Sequence, residues 1–349
     1  MNRSQAKKKK RKRKHPILRR FLFFLLLVFV CVAGYLGWVF YHTLSAANES
    51  YDDLGRDKSK LRESAVSISN DPVSILLLGI EDYSSGGKGG RSDTIMVATF
   101  NPKDQSMKLL SIPRDARVEI PGKGEDKINH AYSKGGKELT IDTVEDFLDI
   151  PIDYYATVNF DGIKNIVDIV GGITVDVPFD FKQNSDDPKA EKLEFYEGPM
   201  ELDGRHALAY ARMRKLDPLG DIGRNARQQE VVKAIIDEIA SAGTLLKVDK
   251  LTAEVGKNVE TNLRVSELLG FYQKYSGFNS NDIDTVTLEG ASDDIDDISY
   301  WFPDEESVEE VQDELKVHLG LKSATSSSTS SSSESSDDSS DSSYESETE

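Results

Sequence analysis

Residues 21–40, FLFFLLLVFVCVAGYLGWVF, run for twenty positions without a charge. At ~1.5 Å rise per residue, one helix of that length spans a ~30 Å hydrocarbon core. Residues 1–20 carry eleven Lys/Arg and no Asp or Glu. Basic flanks remain on the cytoplasmic side. The N-terminus is therefore expected inside, and everything after about Tyr41 outside. The rival reading is a cleaved signal peptide, for which Ser45–Ala47 offers small residues, but the run is longer than a signal core of roughly 7–15 residues. The basic run could instead be a nucleic-acid-binding arm. Its place against the apolar run favours topology. The remaining 32 basic and 61 acidic residues give the rest of the chain a charge of −29, which opposes nucleic acid. The single cysteine, Cys31, lies inside the apolar run, so the external part has no internal disulfide.

Five segments follow: a basic segment (1–20), a transmembrane helix (21–40), a polar and partly helical stalk (41–72), one folded domain (73–322) and a tail (323–349). The tail is almost entirely Ser, Thr, Asp and Glu and is expected to be disordered. In the domain, Val73–Leu78 reads as a buried strand. SDTIMVATFNP and SMKLLSIPRD read as two strands joined by the turn NPKD. KELTIDTVEDFLDI is an amphipathic helix with Leu139, Val144, Phe147 and Leu148 on one side. DYYATVNF is a strand, DGIKNIVDIV a helix with Asp161 as N-cap, and GGITVDVP a strand. DGRHALAYARM and ARQQEVVKAIIDEIA are helices, the second with Val231, Val232, Ile235 and Ile236 inward. Leu246–Gly277 reads as helical, IDTVTLEG as a strand and Glu305–His318 as a last helix. The fold class is α/β, a mixed central sheet with helices on both faces, preceded by one transmembrane helix.

The five histidines form no HExxH or comparable metal pair, and GxSxG, P-loop and GxGxxG motifs are absent. What stands out is arginine beside acid at strand ends, where loops converge above an α/β sheet. Arg91, Asp93 and Arg114 are placed to meet. Arg212 and Arg214, two apart before the helix-breaking LDPLG, would point to one side of an extended segment. Arg224, Arg227 and Gln228 open the next helix, with Arg224 and Gln228 on one face. Clustered guanidinium groups suit a polyanion, since their fork matches phosphate oxygens. Carboxylates at Glu81 and Asp93 would repel phosphate unless a cation intervened, which suggests Mg²⁺ bridging to a pyrophosphate. The alternative is that each arginine pairs with a surface acid.

The motifs SILLLGI, GRSDTIMVATFNP, LLSIPRDARVEIPG, KINHAYSKGG, VNFDGIKNIVDIVGGITVDVP, LDGRHALAYARMR and GRNARQQ occur in that order. Together they make the chain resemble the LytR-CpsA-Psr family of Gram-positive wall enzymes. The resemblance implies a single-pass membrane enzyme with an extracellular catalytic domain. It would move a glycopolymer (teichoic acid, capsule or a related wall polysaccharide) from an undecaprenyl-pyrophosphate carrier to peptidoglycan by a phosphodiester bond. It implies that Arg91, Arg114, Arg212, Arg214 and Gln228, with Arg227 beside it, hold the pyrophosphate. It also implies that Glu81 and Asp93 act around Mg²⁺, with Arg91, Asp93 and Arg114 catalytic and Asp93 a candidate base. The family carries aspartate where this chain has Glu81, and Asp82 is a substitute donor. A hydrophobic tunnel for the polyprenyl chain would draw on Ile163, Ile166, Val167 and Ile169, and on Val231, Val232, Ile235 and Ile236. A membrane-bound transcriptional attenuator and a non-catalytic wall-binding protein are the alternatives.

Overall fold

The computed structural model describes residues 51–80, 90–187, 192–240, 258–264, 267, 270–271 and 279–323. The basic segment, the apolar run 21–40, residues 41–50, Glu81, Asp82 and the tail beyond Ser323 lie outside the described residues. Among the described residues no helix is long and apolar enough to cross a membrane.

The elements in chain order are β1 (Val73–Ile80), β2 (Ser92–Asn101), β3 (Ser106–Ser111), β4 (Arg117–Ile120), β5 (Gly124–Lys127), α1 (His130–Leu148), β6 (Tyr154–Asn159), α2 (Phe160–Val170), β7 (Ile173–Val177), β8 (Phe181–Gln183), β9 (Leu193–Phe195), β10 (Gly198–Leu202), α3 (Gly204–Arg212), α4 (Asp221–Ala240), β11 (Val259–Thr261), β12 (Ile283–Val286), β13 (Gly290–Ile295), β14 (Ile298–Pro303) and α5 (Glu305–His318). The central sheet has the order β11-β6-β1-β2-β3-β12. β1 runs parallel to β6, and β3 parallel to β12; the other neighbours are antiparallel. The sheet is mixed, as the NPKD hairpin requires.

Period-two alternation covers both sheet faces. Leu76, Leu78, Ile95, Val97 and Leu110 pack with Ile141, Val144 and Leu148 of α1 and Val311 and Leu315 of α5. Val73, Ile75, Met96, Ala98, Phe100, Met107 and Leu109 face the other way, against Val232 and Ile236 of α4. The opposite side of α4, through Val231, Ala234 and Ile235, closes a third cluster with Val167, Val175, Phe181, Phe195 and Tyr210. The four residues expected inward on α4 thus divide between two cores.

Three local expectations change. The cap of α2 is Asn159, whose side chain accepts from the Gly162 N–H at 2.8 Å, and Asp161 lies inside the first turn. Val259–Thr261, within the segment expected as helix, is an edge strand, and the rest of 246–277 is mostly outside the described residues. The described part of the expected stalk, residues 51–72, has no helix and is fastened to the domain. Its arginines carry this attachment. Arg56 forks onto Glu145 with two bonds of 3.0 Å, and the Glu145 side chain is wholly buried. Arg62 pairs with Asp153 at 2.9 and 2.7 Å and also donates to Pro72 O. Ile68 adds a fully buried apolar anchor.

At the other end of the chain, His318 closes α5 inside the fold. Its ring meets Thr99 Oγ1 at 2.7 Å and Ser106 Oγ at 2.9 Å. Burial, with Lys108 nearby, pushes its pKa down to about 4, only partly countered by Asp104, Asp284 and Glu314. The unfolded chain therefore takes up a proton below the ordinary value near 6.5 while the folded chain resists it. Stability from this residue is whole above that value and declines as pH falls toward 4, by roughly 3 kcal/mol in all. His318→Gln is expected to flatten that part of the profile, measured as the wild-type minus variant difference in urea midpoints at pH 7 and pH 4.5. Parallel profiles would exclude this role.

Candidate active site

The arginine cluster forms at the end of the sheet where β1 and β6 finish and β2 begins. β1 and β2 come unusually close there: a Cβ at Gly79 would lie 2.9 Å from Thr94 Cβ, so glycine is what the approach allows. Arg91 and Asp93 flank the first residue of β2. Arg114 follows β3 in a turn whose Arg114 carbonyl accepts from Asn129 N at 3.2 Å. Arg114 Nη1 meets Asp93 Oδ1 at 2.5 Å, and its Nε stands 3.7 Å from Asp115 Oδ2.

Across from these, Arg214 Nε and Arg224 Nη2 approach Asp221 Oδ1 at 2.8 and 3.0 Å. These are ion-pair distances without hydrogen-bond alignment, because Asp221 Oδ1 has no aligned donor. A cleft of about 350 Å³ opens between the two groups, lined by residues that include Arg91, Arg114, Asp115, Lys127, His130, Arg214 and Asp221. Ser292, Ser299, Tyr300 and Trp301 of the β13–β14 hairpin form its far side.

The electrostatics of the cluster are uneven. Burial works against the charge on Arg114, but Asp93, Asp115 and Asp221 outweigh it and hold its pKa above the usual arginine value. Arg224, only 5% exposed, has the reverse balance. Burial and then the neighbouring charge of Arg114 lower its pKa, and Asp221 and Asp93 compensate incompletely. The Nε atoms of Arg114 and Arg224 are both buried without a hydrogen-bond acceptor. Asp115 responds oppositely. Burial favours its neutral form, yet the Lys127 ammonium at 2.9 Å keeps it below the ordinary carboxylate range. His130 contacts Asp126 at 2.9 Å; burial would raise the Asp126 pKa, but Lys134 and His130 hold it at about 2. The site is a cationic recess in which Arg91, Arg114, Lys127 and Arg214 outnumber Asp115 and Asp221, a setting that favours an anion.

Of the residues singled out in the sequence, Arg91, Asp93, Arg114 and Arg214 are brought together. Glu81 is outside the described residues. Gln228 sits one turn beyond Arg224 on α4, 9% exposed. Arg212 is set apart: it ends α3 as a helical residue, so the extended geometry expected for Arg212 and Arg214 does not occur. Its guanidinium lies over the Phe160 ring, 4.6 Å from the centroid. Arg227 is placed differently from the expectation that it binds pyrophosphate. It is 3% exposed, and its donors go to Tyr210 O, Met213 O and Asp217, which leaves it an internal staple. The sequence reading also passes over Gln229, which donates to Ser111 Oγ at 2.9 Å and ties α4 to β3 just before Arg114.

A mixed sheet with this cationic cleft at its strand ends defines an α/β domain whose recess favours an anion. The chain belongs to the LytR_cpsA_psr family, whose sequence model matches residues 37–317. It is 48% identical over 309 residues to the polyisoprenyl-teichoic acid–peptidoglycan teichoic acid transferase TagV of Bacillus subtilis (strain 168), covering 87% of this chain and 79% of that protein. The crystal structure of B. subtilis TagV matches with a TM-score of 0.66, covering 72% of this chain and 98% of that one. The LytR-CPS2A-psr family protein YwtF (TagT) with bound octaprenyl pyrophosphate lipid matches with a TM-score of 0.60 at 32% identity, covering 76% of this chain and 97% of that one.

Proposed function

We infer that this chain is a transferase that moves a polyisoprenyl-linked glycopolymer of the teichoic acid class to peptidoglycan. The observation that carries the reading is the convergence of Arg91, Arg114 and Arg214 on one cleft at the strand ends, with the buried Arg224 held against Asp221 of its lining. The family relationship supplies the reaction class.

In the finer reading the donor is an undecaprenyl pyrophosphate. The enzyme is a single-pass membrane protein with its N-terminus in the cytoplasm and its domain outside. The acceptor hydroxyl oxygen attacks the sugar-proximal phosphorus, and the bond from that phosphorus to the bridging oxygen breaks. Polyprenyl phosphate leaves with the electron pair, and the hydroxyl proton passes to a carboxylate, with Asp93 the candidate. Arg91, Arg114, Arg214 and Arg224 hold the charge that develops on the phosphates, which is the main catalytic contribution expected for phosphoryl transfer. Gln228 sits one turn beyond Arg224, and Arg212, set over the Phe160 ring, is a further candidate for the donor phosphates.

Asp93, a hard oxygen donor, would serve Mg²⁺ as the alternative to that proton transfer, since one carboxylate cannot readily do both. Among the described residues no group of three His, Cys, Asp or Glu could hold a metal. An ion here would be held by one or two carboxylates plus substrate phosphates. Bound there, Mg²⁺ would supply further neutralisation of the phosphates. Ile163, Ile166 and Ile169 of α2 are half-buried and belong to no described core cluster, so they are the candidates to meet the prenyl chain, whereas Val167 and Val231 are core.

The test is direct. The full chain in vesicles, given a polyprenyl-pyrophosphate-linked glycopolymer and peptidoglycan fragments, should release polyprenyl phosphate in step with a phosphodiester-linked product seen by mass spectrometry. Absence of both would overturn the transferase reading.

A further inference from the structure

The segment from Met213 to Ile222, the loop after α3 and the first residues of α4, presents three aliphatic side chains to solvent. Leu216, Leu219 and Ile222 are 54%, 65% and 64% exposed, more than any other large aliphatic residue among those described. The loop is not slack. Arg227, buried beneath it, binds Asp217 and Met213 O; Leu219 N donates to Asp217 Oδ1 at 2.7 Å, and Gly220 N to Asp217 O at 3.0 Å. A Cβ at Gly223 would strike the Asp217 carboxylate. A buried ion pair thus braces a loop whose apolar side chains point away from the protein. Exposed Arg212, Arg214 and Lys215 stand at its start. Apolar side chains beside a cationic rim make a surface suited to the headgroup and acyl boundary of an anionic bilayer.

The direction of the chain sets the orientation. Tyr51 bridges Thr261 in parallel, and Asp52 N donates to Thr261 O at 2.9 Å. Thr261 is antiparallel to Ala156 of β6, three residues before that strand ends at Asn159. The polypeptide therefore comes into the domain from the end of the sheet that carries the arginines. Only ten residues, 41–50, separate the apolar run from Tyr51. Fully extended, they reach ~35 Å.

We propose that Leu216, Leu219 and Ile222 dock this domain onto the outer surface of the bilayer, turning the arginine cleft toward the membrane that holds the lipid donor. The proposal rests on the polyisoprenyl-linked donor of the proposed function. The covalent anchor supplies the proximity. The loop supplies the orientation, which sets how a lipid-borne pyrophosphate reaches Arg114 and Arg224.

The test uses the full chain with Cys31→Ser, a nitrobenzoxadiazole label at Leu219→Cys, and vesicles of phosphatidylglycerol and phosphatidylethanolamine. The emission is expected to shift to the blue and to be quenched by brominated acyl chains without any donor present. A label at Lys103→Cys, in the β2–β3 turn at the opposite end of the sheet, should behave as in water. Matching spectra at the two positions would overturn the proposal. So would shielding that needs the polyprenyl donor, which would assign the patch to the substrate chain, or shielding that scales with protein density, which would assign it to a second copy. In a separate arm, Leu219→Asp/Ile222→Asp should lower transfer from a vesicle-embedded donor by about tenfold or more while sparing transfer from a water-soluble short-prenyl donor. Equal losses with both donors would also overturn it. Wild-type failure with both donors would reject the transferase reading itself, whatever the labels report.

Discussion

Arg224→Ala is expected to lower transfer by about 10²–10³-fold, with little change in folding. Arg224 is 5% exposed and stands between Arg114 and Asp221, with burial and Arg114 lowering its pKa. Arg224 holds Asp221, which lines the cleft with Arg114 and Arg214. Its charge acts on a bound phosphate from behind that carboxylate, and more strongly as charge moves onto the leaving oxygen. Removing it relieves repulsion with Arg114 in the free protein, and Asp221 keeps Arg214 at 2.8 Å. Truncating a side chain that is 5% exposed still leaves a cavity, so the cost to folding is modest rather than nil. Arg227→Ala, three residues along the same helix, should behave oppositely. It removes the partner of Asp217 and the donors to Tyr210 O and Met213 O, so it should lower the melting temperature first and activity only as a consequence. Steady-state rates and thermal melts of the two variants, side by side, make the comparison. Near wild-type transfer by Arg224→Ala would remove the buried arginine from the mechanism.

That contrast also shows how far the sequence reaches. The core strands are legible because buried strands announce themselves in runs such as Val73–Leu78, and the NPKD turn forces the antiparallel pair that makes the sheet mixed. The convergence of Arg91, Asp93 and Arg114 follows from their place at strand ends. Arg224 and Arg227 are harder to sort. Both open the same helix, both are basic, and the role of each depends on what that helix packs against. Arg227 turns under the 213–222 loop and Arg224 toward Asp221 in the cleft wall, and helical phase alone does not say which side meets the sheet. The attachment of residues 51–72 is similarly hidden. The polar composition of this stretch fits a stalk, but Arg56 and Glu145 are 89 positions apart, and nothing local announces their pairing. The short edge strand Val259–Thr261 and the hairpin β13–β14 carry too few periodic residues to register, although Tyr300 and Trp301 form one side of the cleft.

Arg62→Ala is expected to destabilise the domain by about 3–5 kcal/mol, because it leaves a buried carboxylate without its cation. The Arg62 and Asp153 side chains are 8% and 4% exposed, so water replaces little of what is lost. Asp153 would retain the Ser74 N–H at 3.0 Å, which satisfies one oxygen but not the charge. Asp153→Asn combined with Arg62→Met should recover a large part of the loss, since the double change removes both charges and keeps the aliphatic stem of the arginine in place. Denaturant midpoints of the detergent-solubilised full chain measure both. The size of the effect matters beyond stability. Arg62 and Arg56 fasten the first described residues of the domain to the end of α1 and the loop after it. On the proposed single-pass topology this attachment holds the domain close to its anchor, so loosening Arg62 should reduce transfer from a vesicle-embedded donor under conditions where the sheet is still folded. A loss below ~1 kcal/mol, the range of an exposed ion pair, would return residues 51–72 to a loose tether.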